Sequence, residues 1–171
     1  VPPKAKGKVT PQQAIEAARE NPAAFVALCL GRPVADIQRE LLAHALTNHA
    51  WYAELPRGHA KTSTLSYLAA WWLGKRPATR FKLIGSNDDA AAATSRFLRD
   101  IIRSPIYRAV FPEVALKPGE DTIMAWSVAA PGIVARRDPS VQASGIFGRT
   151  GGRADILWAD DICDLRNAVL Q

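Results

Sequence analysis

Apolar residues recur at helical spacing through the first part of the chain, then collect in short runs separated by turn residues. Thr10-Pro11-Gln12-Gln13 predicts a helix start: Thr10 caps, Pro11 fits the first helical position and Gln13 closes a capping box. Ala14, Ile15, Ala17 and Ala18 give that helix its apolar side. Asn21-Pro22 restarts a second helix with Phe25, Leu28 and Cys29 inward, stopped by Gly31 and Pro33. A third is expected from Asp36 to Thr47, with Ile37, Leu41, Leu42 and Leu46 on one face.

The texture then changes. Ala50 to Leu55 is a short aromatic-rich run that predicts a buried strand. It breaks at Pro56 into a loop that ends in Lys61-Thr62-Ser63, and a helix follows with Leu65, Leu68, Trp72 and Leu73 apolar, ending near Gly74. Arg80 to Gly85 predicts a second strand. Ser86-Asn87-Asp88-Asp89 supplies a cap and an acidic first turn for a helix reaching Arg103. Pro105 and Pro112 bracket a helical turn from Ile106 to Phe111. Further strands are expected at Ile123 to Val128, Val141 to Ile146 and Ala154 to Ala159, the last running into Asp160-Asp161. Helices alternating with apolar strands predict an α/β fold: a mainly parallel sheet sandwiched by helices, behind an N-terminal helical segment.

Composition narrows the class. At 171 residues, 48% hydrophobic and 22% charged, the chain suits one domain with a real core and excludes a wholly disordered, collagen-like or disulfide-framework protein. No apolar run approaches the roughly 20 residues of a membrane helix, and no secretory signal is apparent. Cys29 and Cys163 are expected to be free buried thiols. Lysine and arginine exceed acidic residues by 22 to 16, so a polyanionic partner is favoured. Lys4, Lys6 and Lys8 lie in an N-terminal arm that can touch phosphates.

The candidate chemistry sits between the first strand and the helix after it. A strand-to-helix loop aims several backbone N–H groups at one point, where the helix dipole adds positive potential. There Lys61 would reach terminal phosphates and the Thr62 hydroxyl would hold Mg²⁺. The strict phosphate loop has glycines six and one residues before its lysine, and this chain has Leu55 and Ala60 there, keeping only Gly58. A positive φ at Ala60 would cost on the order of 1–2 kcal/mol. About 100 residues on, the strand ending in Asp160-Asp161 brings carboxylates to the end of a sheet where ligands bind. Asp160 would hold the Mg²⁺ shell, and Asp161 would orient or deprotonate the attacking water.

Other residues fit around this pair. Gln38, 23 residues before Lys61, has the two-sided amide that can read adenine. Arg57 can touch a phosphate from inside the loop. Gly145, Gly148, Gly151 and Gly152 surround Arg149 and Arg153, either of which can offer a guanidinium to a phosphate in its own site or a neighbour's. His44, His49, His59 and the cysteines show no metal-ligand spacing.

Several stretches together resemble the ATPase domain of the large terminase subunit of tailed bacteriophages and prophages. Gln38-Arg39-Glu40 resembles its adenine motif, and Leu55-Pro56-Arg57-Gly58-His59-Ala60-Lys61-Thr62-Ser63 its deviant Walker A loop. Gly85-Ser86-Asn87-Asp88-Asp89 resembles its second strand–helix unit; Ser144 to Gly148, then Gly152-Arg153-Ala154-Asp155 to Asp160-Asp161, resembles its approach to Walker B. The likeness covers roughly residues 33 to 167, leaving 1–33 as a basic arm with helical segment and 34–171 as the ATPase core.

The resemblance implies a P-loop NTPase fold of the ASCE type and an ATP- and Mg²⁺-dependent motor that moves double-stranded DNA into a procapsid. It implies a homo-oligomeric ring in the host cytoplasm, working with a portal protein and a small terminase subunit. In that ring Arg149 or Arg153 would complete a neighbour's site, and residues 57 to 63 would cradle the nucleotide. The family's second Walker B acid is usually glutamate, and Asp161 is one methylene shorter. The chain stops ten residues after Asp161, before the nuclease domain and before a strand that the implied fold inserts between the phosphate-loop strand and the acidic one. The core is therefore expected to be incomplete, or another segment fills that slot. Two other functions share these motifs: a helicase-like nucleic-acid-dependent ATPase, and a nucleotide- or DNA-binding module without turnover.

Overall fold

In a computed structural model of the chain, the structure describes residues 9–56, 58–119, 122–134, 136–148 and 151–162. Arg57, Arg149, Cys163 and the arm lysines lie outside them. Six helices are described: α1 (Pro11–Glu20), α2 (Pro22–Leu30), α3 (Asp36–Thr47), α4 (Lys61–Lys75), α5 (Asp88–Arg103) and α6 (Pro105–Val110). The strands are β1 (Phe81–Gly85), β2 (Ala115–Leu116), β3 (Ala125–Trp126), β4 (Val128–Ala129), β5 (Val141–Gly145) and β6 (Ile156–Ala159).

Local chemistry fixes most helix ends. Thr10 and Gln13 form the reciprocal capping box of α1, with Thr10 Oγ1 accepting from Gln13 N at 3.2 Å and Gln13 Oε1 from Thr10 N at 2.9 Å. Asn21 caps α2, and Gly31 ends it in the left-handed conformation, φ 63°. Asn87 caps α5 and Ser104 caps α6.

The main sheet is mostly parallel, in the order β3-β5-β1-β6, and is flanked by helices. β1 pairs parallel with β5 from Phe81↔Val141 to Gly85↔Gly145, and with β6 from Phe81↔Ile156 to Ile84↔Ala159. β3 adds an antiparallel edge, and β2 and β4 form a separate two-stranded ladder. Period-two alternation buries Val141 and Ala143 of β5, while β1 is buried continuously from Phe81 to Leu83. α5 lies against β1 and β5, with Ala91, Leu98 and Ile102 buried. Its Ser95 hydroxyl accepts from Trp126 Nε1 at 2.8 Å and so ties β3 to the helix.

The first helices join the same core. Ala18, Phe25 and Val26 are fully buried in it; Trp71 Nε1 donates to Ala18 O at 3.1 Å, and Arg19 Nε to Val110 O at 2.9 Å. Among the described residues no helix is long and apolar enough to cross a membrane. Cys29 is free and half-buried, and burial pushes its thiol up to about 12.

Four sequence expectations need correction. Residues 50–55 form no strand: Trp51 and Tyr52 are exposed, Tyr52 to 85%, and of these residues only Ala53 and Leu55 lean on the core. A strand exists only where a neighbouring backbone completes its ladder, and this segment has none among the described residues. The run Ile123 to Val128 is broken at Ser127 into β3 and β4, which pair with different partners. Leu46, in the last turn of α3, is 40% exposed, while Gln38 occupies a core position. On α4 it is Trp71, not Trp72, that is buried; Trp72 lies under the Arg76 guanidinium, 5.2 Å from its ring centre.

At the end of the sheet where β1 and β6 begin, Arg80 forms an ionic clasp. Its Nη2 lies 2.6 Å from Asp155 Oδ1, its Nε and backbone N also reach Asp155, and Asp138 stands 3.8 Å away. The hydrogen bonds from Arg80 hold the Asp155 carboxyl down at about 2. An unfolded aspartate titrates near 3.9, so this stabilisation is fully present above roughly pH 4 and lost as pH falls through about 2. Stability measured from pH 4 down to 2 should fall more steeply in the wild type than in Asp155→Asn; parallel curves would remove the clasp from the acid response.

Candidate functional site

The residues of interest gather at the other end of the sheet, beyond the C-terminal ends of β1 and β6. The approach to α4 turns twice through left-handed backbone: Gly58 at φ 87°, then Ala60 at φ 55° and ψ 31°. Between them His59 N donates to Pro56 O at 3.4 Å. Ala60 therefore carries the strain that a positive φ imposes on a non-glycine residue. Ala60→Gly should raise unfolding stability by about 1 kcal/mol, readable in denaturant melts; a loss of stability would mean that the methyl group packs favourably there.

The turn delivers Lys61 and Thr62 into the first turn of a 15-residue helix that has no side-chain cap and no acidic residue in that turn. Its N-terminal N–H groups are thus left for another acceptor, unlike those of α5, which has the Asn87 cap and Asp88-Asp89. Thr64 N closes the first helical bond to Ala60 O at 2.9 Å.

Asp160 arrives from β6. Its backbone N donates to Ile84 O at 2.8 Å, which extends the β1 ladder by one bond and fixes the carboxylate over the helix start. The Thr62 hydroxyl donates to Asp160 Oδ2 at 2.5 Å, across 98 residues of sequence. Lys61 Nζ lies 3.7 Å from Asp160 Oδ1, close enough for an ion pair but too long for a hydrogen bond. Oδ1 is buried and has no hydrogen-bond partner among the described residues. A buried carboxylate oxygen so placed has unused acceptor capacity beside a cation and a hydroxyl.

That donor set suits a hard divalent cation. Thr62 and Asp160 offer oxygen only, and among the described residues no cluster of three or more His, Cys, Asp or Glu could form an all-protein cage. Mg²⁺ matches such a site because it takes few protein ligands and keeps water or phosphate oxygens for the rest.

The remaining candidates divide. Asp161 follows Asp160 directly, exposed and in the left-handed conformation at φ 48°. Gly58 and His59 are exposed on the loop, and Ser63 is half-buried. Arg153 is exposed and precedes β6, so it stands toward the opposite end of that strand from Asp160 and does not join the site within its own chain. Gln38 is 5% exposed; its Oε1 accepts from Ala35 N at 3.2 Å and its Nε2 donates to Thr64 Oγ1 at 2.9 Å. Arg57 and Arg149 lie outside the described residues.

Two residues escaped the sequence reading. Thr64 gave no sign beyond its place in the helix. Asp88, read only as part of a helix start, accepts from Gly145 N at 2.7 Å and joins the β1–α5 turn to the end of β5. The backbones approach so closely there that a Cβ on Gly145 would stand 2.7 Å from the Asn87 carbonyl carbon. Comparison with protein-family models and with curated proteins gives no match.

Proposed function

We propose that this chain is the ATPase motor of a DNA-packaging terminase, built on a P-loop core of the ASCE type and hydrolysing ATP to move double-stranded DNA into a procapsid. One observation carries the reading: Lys61 and Thr62, at an uncapped helix start, meet Asp160 at the end of a parallel strand. That is the constellation a Mg²⁺–triphosphate requires. In this reading Lys61 neutralises the terminal phosphates, and the free N–H groups of the first α4 turn hold phosphate oxygens. Thr62 and Asp160 would hold Mg²⁺, whose contribution when bound is to offset charge on the phosphate oxygens. Asp161 orients the attacking water and accepts its proton. An excess of six positive charges at neutral pH supports a DNA partner.

The assembly follows from the family resemblance: a homo-oligomeric ring in the host cytoplasm, docked on a portal protein and fed by a small terminase subunit. Arg149 or Arg153 would complete a neighbour's site, and the exposed position of Arg153 at the far end of β6 fits a role across a subunit boundary rather than within one chain. A second reading, a nucleotide-binding module without turnover, is favoured by the exposure of Asp161.

ATP binding and phosphate release, measured separately with and without duplex DNA, test these readings. The motor predicts binding, DNA-stimulated release, and a DNA affinity that falls steeply with salt as counterions are displaced. Binding without release selects the module. No ATP binding rejects both.

A further inference from the structure

A small cavity lies beside the candidate site, between the C-terminal ends of β1 and β6 and the first two turns of α5. Leu83 and Gly85, Ala91 and Thr94, and Trp158 and Asp160 line it. It has about 10 Å³ of space for water, close to the minimum that one molecule needs. At Gly85 the wall is backbone against backbone: a Cβ there would stand 2.8 Å from Ala91 N. β1 and α5 already touch at that point and cannot move together to close the space. Strand alternation puts Trp158 and Asp160 on the same face of the sheet, Asp160 continuing the ladder through its bond to Ile84 O.

These two lining residues carry buried polar atoms without partners. Trp158 Nε1 and Asp160 Oδ1 are buried and have no hydrogen-bond partner among the described residues. Lys61 Nζ, 3.7 Å from Oδ1, supplies charge but no hydrogen bond. The indole nitrogen is a donor only and the ionised carboxylate an acceptor only, so each lacks what the same small molecule can offer. A water accepts from the indole N–H and donates one hydrogen to Oδ1; the Thr94 hydroxyl gives it a third partner. Resting on the nucleotide-binding reading above, we propose that one water in this cavity links Trp158 Nε1 to Asp160 Oδ1, making Trp158 a positioning residue for the Mg²⁺ site. A carboxylate has about four acceptor sites. The Thr62 hydroxyl takes one on Oδ2 and the water one on Oδ1, which leaves the others for the cation. Held at both oxygens, the carboxylate cannot swivel, and it presents a single orientation to the metal.

Two measurements on the whole chain test this. A crystal structure that resolves water should show one within about 3.2 Å of both Trp158 Nε1 and Asp160 Oδ1; no water there, or an indole N–H bonded to another group, overturns the proposal. The second is calorimetric titration with ATP, in excess EDTA and in excess MgCl₂. Trp158→Phe removes the N–H and keeps an aromatic ring. It should leave the affinity in EDTA within about twofold of wild type and cut the gain on adding Mg²⁺ by about 3- to 10-fold. That is less than the roughly 10- to 100-fold of a direct partner to a metal ligand, because a water can turn to other groups. Thr94→Val, which removes a hydroxyl from the cavity wall at nearly constant volume, should act in the same direction. Thermal melts show that each variant is folded, and Thr94→Val alone suffices where Trp158→Phe does not fold. An equal loss with and without Mg²⁺ would make Trp158 a packing residue and overturn the proposal, as would an unchanged Mg²⁺ gain in the folded variants. A wild type that binds no ATP overturns the nucleotide-binding reading, and the positioning role falls with it whether or not the water is seen.

Discussion

Lys61→Ala is expected to lower the affinity for Mg²⁺–ATP by at least about 100-fold. Hydrogen bonds from a charged donor contribute roughly 1.5–3 kcal/mol each, and a lysine bridging two phosphates makes more than one. Losing about 3 kcal/mol corresponds to somewhat more than a hundredfold in Kd. The side chain has little structural work to do otherwise: it is 27% exposed, and among the described residues it pairs with Asp160 Oδ1 at 3.7 Å. The variant should therefore keep its fold, with a near-native melt, while calorimetry shows binding lost. Wild-type affinity would remove Lys61 from the site.

Asp161→Asn is expected to separate binding from chemistry. Asp161 holds φ 48°, and asparagine is among the few residues besides glycine that visit this conformation readily, so the backbone should tolerate the change. The side chain is exposed, so its charge contributes little to packing. The amide keeps the carboxylate's size but cannot take a proton from water. Nucleotide affinity should stay within about twofold, while phosphate release in a protein that turns over should fall about 100-fold or more, the usual scale for removing a general base. Unchanged turnover would assign the base elsewhere; a matching loss of affinity would make Asp161 a binding group.

Features with a local cause were legible in the sequence. The Thr10–Gln13 box and the caps at Asn21 and Asn87 each need only a few adjacent residues, and the structure shows all three. β1, β5 and β6 were placed to within a residue or two, because an apolar run between turn residues has few other uses. The failures are relational. Residues 50–55 have the composition of a strand but, among the described residues, no backbone beside them to form a ladder. The pairing of Ala115–Leu116 with Val128–Ala129 is too short for any periodicity to announce. Trp71 and Trp72 point about 100° apart on a helix, and Trp71 is the one that faces the core, where its Nε1 meets Ala18 O.

The site divides in the same way. The order Lys61-Thr62, then a distant Asp160, was readable as a pattern, and the structure brings those three together. Comparing the loop with the glycine it lacks raised a positive φ at Ala60 only as a condition, and the backbone meets it at φ 55°. The partner of Gln38 was not legible, since a helical glutamine looks the same whether it faces a base, water or a threonine 26 positions away. The position of Arg153 relative to Asp160 likewise depends on the direction in which β6 runs through the sheet.

The proposed function requires Lys61, Thr62 and Asp160 to form one triphosphate–Mg²⁺ site. A crystal structure with a non-hydrolysable ATP analogue and Mg²⁺ tests it most directly. The terminal phosphate is expected within hydrogen-bond distance of Lys61 Nζ and the metal beside Thr62 Oγ1 and the Asp160 carboxylate. A nucleotide bound elsewhere on the chain, with no phosphate oxygen touching Lys61, would contradict it.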